Sequence, residues 1–130
     1  PPPPAPRRPP PAPPPNPPPP PPPPHAQVAS FQAAVRAGVR VVAGTDAGTP
    51  DNPHGGVARE VAFMVEAGLD TLTAVRAATG EAADLLGVPD RGVLRPGAAA
   101  DVLVASGDVA ADITGLQRPV AVFQDGRRVV

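Results

Sequence analysis

Two residues in the stretch VVAGTDAGTPDNPHGG, residues 41–56, have side chains suited to chemistry: Asp46 and, eight positions later, His54. Asp46 stands where an apolar run ends and a loop rich in Gly, Pro and Asn begins. A carboxylate buried at such a strand end is costly unless a metal, a cation or hydrogen bonds satisfy it. An ionised carboxylate there can take a proton from water and return it to a leaving group, general acid–base help typically worth about 10²- to 10⁴-fold. His54 lies between Pro53 and Gly55 in the same loop. The residues alone leave alternatives open: Asp46 as a turn or helix cap, and His54 as an ordinary loop histidine. Thr45, Thr49 and Asn52 either face a substrate or hold the loop by local hydrogen bonds. Asp101 reads as structural, and Glu60 and Glu66 as solvated helix charges.

The elements that position these residues follow from hydrophobic spacing. Val28, Phe31, Ala34 and Val35 recur at intervals of three and four, the pattern of a helix over 25–37. VRVVAGT, residues 39–45, is a short β-branched run that predicts a strand buried on both faces. After the loop, Val57, Val61, Met64 and Val65 share a helical face. Asp70 is placed to cap a second helix, with Leu72, Val75 and Ala78 inward, and Thr79 a third helix that ends at Gly87. From Val88 the pattern turns extended: a short strand at 92–94, a turn at Arg95-Pro96-Gly97, a strand at 101–105, and a hairpin over 120–130 about Asp125-Gly126. Helix, buried strand, helices and a small antiparallel sheet make an α/β chain.

Composition separates residues 1–24 from the rest, because they hold 19 of the 24 prolines. Such a tract lacks amide donors and apolar side chains, so the expectation is a disordered polyproline II tail, roughly 75 Å long at about 3.1 Å per residue. All eleven basic residues are arginine, and beyond the tail nine remain against twelve acidic ones, which gives nucleic acid or an acidic membrane no attraction. The absence of cysteine excludes disulfides and thiolate metal sites. No apolar run reaches the roughly 20 residues of a membrane span, and a cytoplasmic location is the default expectation.

In this order the elements resemble the carboxyl-terminal third of the metal-dependent amidohydrolases, in the imidazolonepropionase-like and prolidase-like branch. Four collinear stretches carry the resemblance: GTDAGTPDNPHGG at 44–56, VEAGLDTLTAVRAATGEAADLLGV at 65–88, RGVLRPGAAADVLVASGDVAADI at 91–113 and VAVFQDGRRVV at 120–130. It implies the last part of a (β/α)8 TIM-type barrel over 25–91, with 39–45 as its eighth strand, and part of a β-sandwich over 92–130. It assigns Asp46 the role of the strand-eight carboxylate that touches both the metal and the reacting water, and His54 that of substrate contact. The implied cofactor is a divalent metal, zinc by default, and the implied reaction is hydrolysis of non-peptide carbon–nitrogen bonds, or of dipeptides ending in proline, in a small-molecule substrate. The family's other ligands are a His-x-His pair, a bridging Lys or Glu, and two further histidines. This chain has only His25 and His54 and no lysine, so the resemblance is to a fragment inactive on its own and open to association through exposed barrel surface. The competing reading is a non-catalytic domain with an SH3-type ligand tail, since Arg8-Pro9-Pro10-Pro11-Ala12-Pro13-Pro14 fits Arg-x-x-Pro-x-x-Pro.

Overall fold

Apolar residues at helical spacing set the core. The computed structural model of the chain describes residues 24–50 and 52–130. It forms helices α1 (Pro24–Arg36), α2 (Val57–Glu66), α3 (Thr71–Ala77) and α4 (Gly80–Leu86), then strand β1 (Val102–Ala105), a 3-10 turn (Ile113–Gln117), and strands β2 (Pro119–Gln124) and β3 (Arg127–Arg128). The core is built on α2 through Val61, Ala62 and Met64, against Ala74 and Ala77 of α3 and Ile113 of the 3-10 turn. Alanine at the α3 positions lets two short helices approach closely, while Phe63 lies on the outer side of α2 beneath the Arg59 guanidinium, 5.2 Å from the ring centre. The proline tract and its SH3-type motif lie outside the described residues, except for Pro24 at the start of α1. Among the described residues no helix is long and apolar enough to cross a membrane.

The α3 cap forms as its sequence predicts. Asp70 accepts hydrogen bonds from the Thr73 N–H at 3.0 Å and the Thr73 hydroxyl at 3.1 Å. The backbone bond from Thr73, with the hydroxyl bond second, holds the Asp70 carboxyl below its ordinary range. A folded-state value below the unfolded one means a stabilisation present at neutral pH and lost as pH falls through the folded value. We expect Asp70→Ala to lower the urea midpoint at pH 7, and the difference from the unmodified chain to shrink at pH values below the usual carboxylate range. A difference that stayed constant with pH would contradict the cap's role.

Sheet order is β1-β2-β3, all antiparallel. β1 pairs with β2 through Val102 with Phe123, Leu103 with Val122 and Val104 with Ala121, and the register slips at Ala105. The β2–β3 hairpin turns at Asp125 (φ 48°) and Gly126 (φ 76°), the two positive values a primed turn demands. Asp101 fastens this turn: its carboxylate accepts the Asp125 N–H at 2.9 Å and pairs with Arg91. The structural reading of Asp101 is therefore the observed one.

Several expectations are corrected. Residues 39–45 form no ladder, because no strand among the described residues lies alongside them. Their only backbone tie to a helix beyond α1 is Ala43 N–H to Ala77 O at 3.0 Å, yet Val41 and Ala43 both pack on the core while Val39 is exposed. Residues 92–94 bend rather than extend, since Gly92 has φ 70° and lies against the backbone of Thr79 and Gly80. Thr79 makes no side-chain cap; its hydroxyl donates to the Val75 carbonyl at 2.8 Å. Leu72 is 54% exposed rather than inward. The 3-10 turn was not anticipated, although Asp112 caps it by accepting from the Thr114 N–H (3.0 Å) and hydroxyl (2.6 Å).

Candidate active-site loop

The extended run 39–45 delivers the chain to Asp46, whose φ of 50° places it in the left-handed region that Asp and Asn tolerate better than most residues. The chain then reverses. Asn52 N–H donates to Thr49 O at 3.1 Å and Gly48 N–H to Asn52 O at 2.9 Å. The Asn52 carboxamide nitrogen donates to the carbonyls of Thr45 at 2.6 Å and Asp46 at 3.0 Å. The loop is thus held by Asn52 through local hydrogen bonds, and the same residue stands at the edge of the groove described below.

Asp46 is exposed, not buried as its place after an apolar run suggested. No strand among the described residues lies alongside 39–45 to cover it. Its carboxylate engages in no hydrogen bond or ion pair among the described residues, in contrast to those of Asp70, Asp101 and Asp112, each of which is engaged in a cap, a turn or an arginine pair. Among the described residues the Asp46 side chain caps no turn or helix.

His54 is also exposed, and its Nε2 lies 3.8 Å from where a Cβ on Gly48 would stand, so the imidazole folds back across the loop. It lines one end of a groove of about 820 Å3 that runs between α2, α3 and the sheet, with Val57, Val75, Leu103, Leu116 and Pro119 along it. Asp46 does not line that groove. The structure therefore places both predicted site residues on one loop without gathering them round one cavity. Thr45 is half-buried, with its methyl near Gly56, and Thr49 is exposed.

Among the described residues no three His, Asp or Glu side chains come together to hold a metal ion. One exposed carboxylate and one exposed imidazole supply too few donors for the tetrahedral or higher coordination that zinc and similar ions require. The residues present do not fit a metal by themselves.

The model of the amidohydrolase family matches residues 24–129. Ochratoxinase of Aspergillus niger is 37% identical over 100 residues, which are 75% of this chain and 20% of that protein. Among solved structures, a Xaa-Pro dipeptidase with methionine bound in its active site superposes with TM-score 0.72 at 34% identity, over 78% of this chain and 25% of the other. The Aspergillus niger ochratoxinase structure superposes with TM-score 0.68 at 31% identity, over 80% of this chain and 24% of the other. The chain thus spans about a fifth of the curated relative it matches and about a quarter of each of these structures.

Proposed function

Since the chain belongs to the amidohydrolase family, we propose that it supplies the proton-handling carboxylate of a hydrolase that cleaves a carbon–nitrogen bond in a small amide or dipeptide. Asp46 is that carboxylate. It takes a proton from the water whose oxygen attacks the carbonyl carbon, and gives a proton to the nitrogen as the carbon–nitrogen bond breaks. His54 contacts the substrate from the same loop. The observation that carries the reading is that Asp46, at the end of an extended run, is held in place by its backbone while its own oxygens accept no hydrogen bond among the described residues.

In this reading a divalent metal, zinc by family expectation, belongs to the completed site, with Asp46 as one of its contacts and the other ligands coming from barrel strands beyond the described residues. This chain alone is then inactive. The test is a hybrid in which the matching quarter of the Xaa-Pro dipeptidase is exchanged for residues 24–130 of this chain. Hydrolysis of a dipeptide ending in proline by the hybrid supports the reading; a folded, metal-loaded hybrid without turnover removes it.

The same reading predicts the behaviour of the chain in isolation. Among the described residues no strand pairs with 39–45, and Val28, Val39, Leu85, Leu86 and Leu94 are exposed. We expect sedimentation of the purified chain to give a mass above 13.0 kDa that rises with concentration. A monomer with a cooperative, concentration-independent unfolding transition would contradict this.

A further inference from the structure

Resting on the assignment of Asp46 above, we propose that Asn52 is a positioning residue for that carboxylate. The Thr45 carbonyl belongs to the peptide plane that precedes the Asp46 Cα, and the Asp46 carbonyl to the plane that follows it. A primary amide has two N–H groups, and the single Asn52 nitrogen reaches both carbonyls, at 2.6 and 3.0 Å. Tying both planes to one atom sets φ and ψ of Asp46 together, which is how a non-glycine residue is kept at φ 50°.

Asn52 is itself anchored. Its N–H and carbonyl are both engaged, by Thr49 O at 3.1 Å and Gly48 N–H at 2.9 Å, and Pro53 restricts it to extended conformations. Asn52 is half-buried, and its bond to the Thr45 carbonyl is the less exposed of the two. Loop closure thereby passes through Asn52 to the backbone that carries the Asp46 side chain. Without the two bonds, Asp46 is free to relax to negative φ and carry its oxygens away from the reacting water.

The test uses two variants. Asn52→Ala removes the amide, and the near-isosteric Asn52→Asp keeps its shape but turns acceptor oxygens toward the two carbonyls. Hydrogen exchange followed by mass spectrometry on the full 130-residue chain reads loop closure in whatever assembly it adopts. Exchange over 45–52 is expected to speed up about ten-fold or more in both variants with α2 and α3 unchanged. Unchanged loop exchange, acceleration spread equally through the helices, or protection retained in Asn52→Asp overturns the proposal.

In the dipeptidase hybrid, both variants are expected to lower kcat about 100-fold while KM stays within about two-fold, since a misplacement near 1 Å suffices for that loss. A loosened loop with undiminished kcat overturns positioning. If the loop loosens as expected but Asp46→Asn keeps full turnover, it is the catalytic reading of Asp46 that fails, and the proposal falls with it.

Discussion

Asp46→Asn in the dipeptidase hybrid is expected to lower kcat about 10²- to 10⁴-fold, the range lost when a positioned acid–base group is removed. The substitution is nearly isosteric, and asparagine also tolerates the left-handed backbone at this position. No hydrogen bond or ion pair among the described residues depends on the Asp46 oxygens, while both bonds from Asn52 go to backbone carbonyls that remain. Stability should therefore be retained while turnover is lost. A carboxylate serving the fold would show the reverse, as Asp70 and Asp101 should. Equal loss of stability and activity would return Asp46 to a structural role.

Gly92→Ala is the substitution with the largest expected effect on folding. A Cβ at Gly92 would stand 2.6 Å from both the carbonyl carbon and oxygen of Thr79 and 2.9 Å from Gly80 N, all backbone atoms at the start of α4, and φ there is 70°. Backbone cannot swing aside as a flexible side chain can. Overpacking of this kind costs about 1–3 kcal/mol and the left-handed conformation of a residue with a Cβ about 1–2 kcal/mol more, so a loss near 3 kcal/mol is expected. Gly97→Ala is the control, because φ is 84° but nothing lies within 4 Å of the added carbon. It should lose only the conformational part, about 1–2 kcal/mol. Equal shifts in the denaturant midpoints would show that the close approach at Gly92 does not hold the segment after α4 to the helices.

What the sequence reveals here depends on how local the cause is. The Asp70 cap and the Asp125-Gly126 turn were legible because their chemistry spans four residues or fewer: Asp70 finds Thr73, and Asp125-Gly126 makes its primed turn. The face of α2 was legible through Val61 and Met64, but Val57, one turn earlier on the same face, is 48% exposed beside the groove. Periodicity gives a direction, not the presence of a neighbour. The same limit explains residues 39–45, where Val41 and Ala43 alternate inward as a strand's side chains do while no partner strand lies alongside. Exposure of Asp46 has the same origin.

Other misses have a different cause. The bend at Gly92 is set by a contact with Thr79 and Gly80, a dozen residues away, which no local pattern carries. The 3-10 turn did leave a signal, Asp112 two residues before Thr114, the spacing at which a carboxylate reaches a following N–H and hydroxyl. The role of Asn52 was half visible, as an Asn before Pro in a glycine-rich loop, but its reach back to Thr45 and Asp46 requires the fold.

The central claim is that Asp46 is one member of a metal-dependent site that this chain does not complete. Elemental analysis of the purified 130-residue chain, dialysed against zinc and then against metal-free buffer, tests it most directly. The account predicts far less than one zinc per chain, at a level Asp46→Asn leaves unchanged. One tightly held zinc per chain, lost in Asp46→Asn, would contradict it.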